Sequence, residues 1–242
     1  MPTRELVSRD LRRLALGGTE LDYVLLRRRG RRGVGLKVDA QGLTVSAPAT
    51  VPVTRIEDYL RKCERWIVKK VAQWDARRVP PASWTDGAAL PYLGGTLALR
   101  TGVASRVHVE LAVGELRVAV RAPGDEAVKR AVVAWYKRAA LAHLAERAFT
   151  LARVGGLPLP RVFLSSAGAR WGSCNSRREI RLAWRLVKAP PALIDYVVCH
   201  ELAHLRHMNH SPAFWAEVER LCPEHRRLRR ELQAADHLYR SF

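Results

Sequence analysis

Acidic residues are scarce in this chain. In 242 residues there are 23 aspartates and glutamates against 42 lysines and arginines, a formal net charge of +19. That balance favours polyanionic partners such as nucleic acid, nucleotides or phosphorylated substrates. Arginine far outnumbers lysine and alanine is abundant, as a GC-rich genome would give, but that bias does not explain the shortage of acids. Cysteine is also sparse. Cys63, Cys174, Cys199 and Cys222 are widely spaced with no C-x-x-C pair, so neither a cysteine zinc cluster nor a disulfide framework is indicated. No apolar run approaches the roughly 20 residues that span a bilayer. The N-terminus lacks the apolar core of a signal peptide. The expectation is a soluble, cytoplasmic protein with no membrane partner. No P-loop pattern is present to cradle phosphates. The basic runs Arg27-Arg28-Arg29-Gly30-Arg31-Arg32 and Arg226-Arg227-Leu228-Arg229-Arg230 have no interleaved aromatics, which gives no support to single-strand recognition by base stacking. They read either as phosphate-binding surfaces or, the commoner case, as solvated charged faces. Neither an internal repeat nor a low-complexity segment is visible.

What is present reads as an α+β chain. At 48% hydrophobic residues it can bury a real core. Tyr23 to Arg29 is strand-like. Val34 to Val38 and Leu43 to Ser46 alternate around a Gln41-Gly42 turn. Thr54-Arg55-Ile56-Glu57 has the form of a capping box. It opens one long helix whose stripe is Ile56, Leu60, Cys63, Ile67, Val71 and Trp74. Three short strands follow around Leu97 to Leu99, Val107 to Leu111 and Leu116 to Val120. Pro123-Gly124-Asp125 is the natural boundary. It gives an N-terminal β-rich lobe with one long helix (1–122) and a C-terminal helical lobe (123–242), unless the two form one continuous domain. In the second lobe a long helix runs from about Asp125 to Val154 and stops at Gly155-Gly156. A strand at Val162 to Leu164 and a hairpin between Trp171 and Leu182 come next. A helix starts near Pro191, a favoured first-turn residue, and another starts near Ser211.

The Pro191 helix carries the most informative run of the sequence, His200-Glu201-Leu202-Ala203-His204. Histidines four apart on a helix share one face and reach one metal ion. Glu201 can hold and deprotonate a metal-bound water. The preceding run Leu193 to Cys199 is largely apolar, so the helix is expected to be buried, and buried polar side chains need partners. A metal ion supplies them. A catalytic zinc takes three protein ligands and leaves one position open. His210 is the preferred third ligand. Ten residues of helix rise about 15 Å, so the chain must turn back before it. Asn209 can take the left-handed conformation that ends helices, and Pro212 lies just beyond. His207, Glu217 and Glu219 are the rivals. Asp195 can either orient a ligand histidine or favour the helix N-terminus. Phe214 and Trp215 read as core residues that fix the loop returning at His210.

Four segments together resemble the YgjP-like metallopeptidase family, which is related to the SprT-like and Wss-type proteases. They are Arg170-Trp171-Gly172-Ser173-Cys174, Pro190 to Val198, His200 to His204, and Asn209-His210-Ser211-Pro212-Ala213-Phe214-Trp215. The resemblance implies a zincin-like lobe, zinc (Zn2+) held by His200, His204 and His210, and Glu201 as catalytic base. It also places Arg170, Trp171 and Gly172 near the site. There a strand can offer backbone groups to an extended peptide, and Arg170 can pair with an anion. For Trp171, packing on the core is an equal alternative. The first reading is therefore a zinc-dependent metallopeptidase acting on a peptide or protein substrate. A second keeps the metal and hydrolyses a phosphoanhydride, as in a nucleoside triphosphate. A third is a nucleic-acid-binding protein with a structural zinc. The sequence does not choose an oligomeric state.

Overall fold

The structure, a computed structural model, describes residues 5–39, 41–76 and 80–242. It is a mixed α+β chain with three small sheets and six α-helices among the described residues. It divides into two compact units, Met1–Val79 and Pro80–Phe242.

In the first unit, strands β1 (Leu6–Leu16), β2 (Thr19–Arg28), β3 (Gly35–Asp39) and β4 (Gly42–Pro48) form a sheet in the order β1-β2-β4-β3. Strand β1 has no sequence signal, because only Leu14 and Leu16 at its end are buried and the rest does not alternate. The expected long helix is two helices, α1 (Val53–Lys62) and α2 (Glu64–Asp75). The break is at Cys63, whose N–H reaches both Tyr59 O at 3.1 Å and Leu60 O at 3.0 Å and so tightens the turn. The apolar stripe survives the break: Ile56, Leu60 and Ile67 are fully buried against Tyr23, Leu25, Leu43 and Val45. Each such side chain contributes roughly 1.5–3 kcal/mol. The expected capping box does not form. Pro52 is the N-cap and Thr54 lies inside the helix. The Glu57 carboxylate instead accepts a bond from the Tyr23 hydroxyl at 3.3 Å.

The second unit opens with β5 (Ala89–Tyr92), β6 (Gly95–Val103), β7 (His108–Ala112) and β8 (Glu115–Val120), in the order β5-β6-β8-β7. This is the topology of the first sheet repeated: antiparallel outer pairs flank a central parallel pair in both. Helices follow each sheet, so the chain contains a structural repeat that its sequence does not display.

Helix α3 (Asp125–Val154) has the bounds the sequence predicts, with Asp125 and Glu126 favouring its N-terminus. Its residues Val128, Val132, Trp135 and Tyr136 share one core with Leu97, Leu99, Leu116 and Val118. For that reason strands β5–β8 group with α3, and the units part at Val79/Pro80 rather than at the sequence boundary of 122/123. The second unit is accordingly not only helical. It holds this sheet and another of β9 (Arg161–Ser165), β10 (Gly172–Cys174) and β11 (Glu179–Ala183), ordered β10-β11-β9.

A short 3-10 helix (Trp184–Lys188) leads into α4 (Pro191–Ala203), α5 (Pro212–Leu221) and α6 (His225–Tyr239). The β5–β6 turn fixes where α4 begins. Leu93 N–H donates to Val187 O at 2.8 Å, and a Cβ on Gly94 would lie 2.8 Å from Pro190 Cα. Only glycine allows that approach, and its φ of 78° is one that other residues rarely adopt. No described helix is long and apolar enough to cross a membrane.

Candidate metal centre

Helix α4 is buried nearly all round: Leu193, Ile194, Tyr196, Val197, Val198, Cys199, Leu202 and Ala203 all lie in the core. Pro191 starts it in the first turn. Asp195 neither touches a ligand histidine nor serves the helix terminus. It accepts two bonds of 2.8 Å from the Arg147 guanidinium and so ties α4 to α3. Along this helix His200 and Glu201 reach the surface of the core, and Glu201 is only 5% exposed. His204 is the C-cap. The following turn is closed by Leu205 N–H to Leu202 O, and by Arg206 and His207 N–H to Ala203 O. The expected left-handed Asn209 is not among the residues with positive φ, so this turn is made without one. Ser211 then caps α5, accepting from Phe214 N–H at 3.4 Å, with Pro212 behind it.

This path returns His210 to the α4 histidines. The ligand atoms of His200, His204 and His210 lie within 4.8 Å of one another, and the Nε2 atoms of His200 and His210 are 3.2 Å apart. Zinc–nitrogen bonds of about 2.0–2.1 Å in a tetrahedron place ligand nitrogens about 3.3 Å apart, which is the spacing of the His200–His210 pair. Burial holds the His200 imidazole down to about 4, with His204 and His210 adding to the effect, and it also lowers His204. Both rings are neutral at pH 7 and have the lone pairs that metal binding requires. The Nδ1 of His204 is 3.0 Å from the His207 carbonyl, an arrangement that leaves Nε2 for an ion. His207 thus contributes its backbone, which no side-chain pattern announces. Buried Glu201 Oε2 and His200 Nδ1 have no protein partner among the described residues. The rivals are occupied elsewhere: Glu217 pairs with Arg206 and Arg220, and Glu219 lies 4.0 Å from Arg226.

Phe214, fully buried, packs 5.0, 4.5 and 4.6 Å from the ring centroids of His200, His204 and His210. Trp215 lies 5.8 and 5.9 Å from those of His200 and His210. Phe214 is a core residue, as the sequence suggests, whereas Trp215 is only half-buried.

The strand before the site meets Glu201 directly. A Cβ on Gly172 would lie 2.5 Å from Glu201 Oε1 and 2.6 Å from its Cγ, so β10 and α4 touch at a glycine, where a larger residue would have to displace the Glu201 side chain or the strand. Burial pushes the Glu201 carboxyl up to about 8, while Arg170 nearby acts in the opposite sense. Cys174, also close to Glu201, is pushed up to about 11 by burial first and then by that carboxylate. The three residues from this segment therefore separate. Gly172 adjoins Glu201 and Arg170 acts on its charge from the exposed side of the segment, whereas the Trp171 indole turns to α6, donating to Asp236 at 2.8 Å beneath the Arg240 guanidinium. That anchor joins residues 65 apart and leaves no local trace in the sequence.

The family described as "YgjP-like, metallopeptidase domain" matches residues 32–235. No curated protein and no solved structure matches the chain.

Proposed function

Because the chain belongs to the YgjP-like metallopeptidase family, we propose that it is a zinc-dependent peptidase in which His200, His204 and His210 hold the ion and Glu201 is the general base. The observation that carries this reading is the cluster itself: three imidazoles within 4.8 Å of one another, next in the chain to a buried carboxylate whose Oε2 has no protein partner among the described residues. Zinc there would supply Lewis-acid chemistry, polarising a carbonyl oxygen and acidifying water.

The remaining work falls to the chain's own groups. Glu201 takes the proton from the attacking water and returns it to the leaving amine nitrogen. Its burial excludes bulk water and raises its proton affinity into the range useful at neutral pH, while Arg170 favours the ionised form. Gly172 brings β10 against the base. Among the described residues no strand pairs with the outer edge of β10, and in this reading an extended peptide adds there, its backbone along the strand beside Glu201. Phe214 keeps the three rings in mutual register.

The test is metal content by mass spectrometry together with peptide cleavage. The expectation is about one zinc per chain, cleavage abolished in Glu201→Gln with the metal retained, and zinc lost or loosened in His210→Ala. Full activity of the Glu201→Gln variant would refute the mechanism. Glu201-dependent hydrolysis of nucleoside triphosphates without peptide cleavage would replace the substrate class. Steeply salt-dependent DNA binding with no Glu201-dependent turnover would make the metal structural.

A further inference from the structure

Next to the metal centre lies a groove between α5 and α6. It has a volume of about 430 Å3 and is lined by Trp215, His225, Arg226, Arg229, Arg230 and Gln233. Positions 226, 229, 230 and 233 follow i, i+3, i+4, i+7, so three guanidiniums and an amide share one face of α6. The groove adjoins the reaction centre through a single side chain. The Trp215 ring that forms its wall lies 5.8 Å from His200 and 5.9 Å from His210.

Its charge is not neutralised internally. Arg226 has Glu219 at 4.0 Å, but Arg229 and Arg230 have no carboxylate partner among the described residues. Arg229 instead lies over the Trp215 ring, 5.1 Å from its centroid. His225 stacks on the same indole at 6.0 Å and an interplanar angle of 24°. His225 is only 4% exposed, and its buried Nδ1 has no protein partner among the described residues. Two of the three guanidiniums that line the groove thus have no carboxylate partner among the described residues. The indole already carries His225 and Arg229, so what the groove offers a ligand is guanidinium groups rather than a bare aromatic face for a base. Guanidiniums recognise carboxylate and phosphate oxygens.

We propose that this groove is an anion-selective substrate subsite, and that the favoured substrates are peptides carrying a side-chain carboxylate or phosphate within about two residues of the scissile bond. The spacing follows from an extended chain, which advances about 3.3 Å per residue, against the one indole that separates the groove from the histidines. The proposal rests on the peptidase reading and specifies its substrate class. It also gives part of the basic surface a local purpose distinct from the general field of a +19 chain.

The test uses the full chain carrying Glu201→Gln and loaded with zinc, so that ligands are bound but not turned over. Fluorescence anisotropy measures affinity for labelled peptides of one background sequence in which a single glutamate replaces glutamine at successive positions. Salt is held near 0.15 M, where the Debye length is about 8 Å and the general field is screened. The expected result is that glutamate at one or two positions tightens binding about tenfold, the size of one charge-assisted bond. Arg229→Gln/Arg230→Gln removes that preference, and Arg130→Gln/Arg138→Gln on α3, which loses the same charge, keeps it. Arg230→Gln alone, which disturbs no ring contact, reduces it. Phosphoserine at the same positions assigns the anion. Tighter binding than glutamate points to phosphorylated substrates, and weaker binding to acidic side chains. The proposal is overturned by no positional preference, by equal preference at every position, or by a preference that the arginine variants leave intact. Failure of the peptidase reading would appear separately, as absence of zinc or of Glu201-dependent cleavage by the native chain.

Discussion

Replacing Gly172 by alanine tests the contact between strand β10 and Glu201. The added methyl would lie 2.5 Å from Glu201 Oε1, 2.6 Å from Cγ and 2.7 Å from Cδ. Ordinary carbon contacts are about 3.5–4.0 Å, so roughly 1 Å must be found. Either β10 moves away from α4, or the Glu201 side chain leaves its position. Overpacking of this kind costs about 1–3 kcal/mol of stability, and a displacement of about 1 Å at the reacting groups costs on the order of 100-fold in rate. Gly172 is not among the clustered ligands, so zinc content is expected to stay at the native level. The measurements are zinc content, urea denaturation and the rate of peptide cleavage. Gly102→Ala on β6, where a Cβ meets nothing within 4 Å, is the control. The expected outcome is a folded, zinc-loaded Gly172→Ala protein with kcat reduced about 100-fold. Native kcat and native stability together would show that β10 does not hold Glu201 in place.

Further expectations concern other parts of the second unit. Glu201→Gln should lower kcat by at least the roughly 100- to 10,000-fold usual for a lost general base, with zinc content unchanged by mass spectrometry. Breaking the Arg147–Asp195 pair with Asp195→Ala should destabilise the protein by about 1 kcal/mol in urea. Both side chains are about 30% exposed, which screens the pair, and a loss above about 3 kcal/mol would mark it as a buried bridge instead. Lys188 is fully buried, 3.3 Å from the centre of the Phe242 ring and bonded to the Ser241 carbonyl. Burial, with Arg185 adding to it, lowers its amine from 10.5 to about 7. Between those values the unfolded chain binds the proton that the folded chain refuses, so stability should rise as pH increases from about 7 toward 10.5. Lys188→Met should flatten that rise; denaturation curves at several pH values would show it, and an unchanged slope would exclude Lys188 as its source.

The sequence by itself determined whatever depends on local spacing. Residues four apart on a helix share a face, so His200-Glu201-x-x-His204 announced two neighbouring imidazoles and a carboxylate. The apolar run before them announced the buried helix, and Gly155-Gly156 with Pro123-Gly124-Asp125 gave the limits of α3. The hairpins around Gln41-Gly42 and between Trp171 and Leu182 were legible from alternation and turn residues. Tertiary structure decided what depends on distant partners. Glu57 has the spacing of a cap, but Tyr23 supplies a partner from across the first unit. Asp195 has the position of a helper to the site, but Arg147 from α3 claims it with two hydrogen bonds. Strands β5–β8 belong with α3 because their buried faces share one core, and the repeated sheet topology persists without a readable repeat in the residues. Only the fold shows that Gly172 presses on Glu201, that Trp171 turns to Asp236, and that the arginines of α6 gather beside the histidines. Such contacts join residues tens of positions apart, and the backbone alone brings them together.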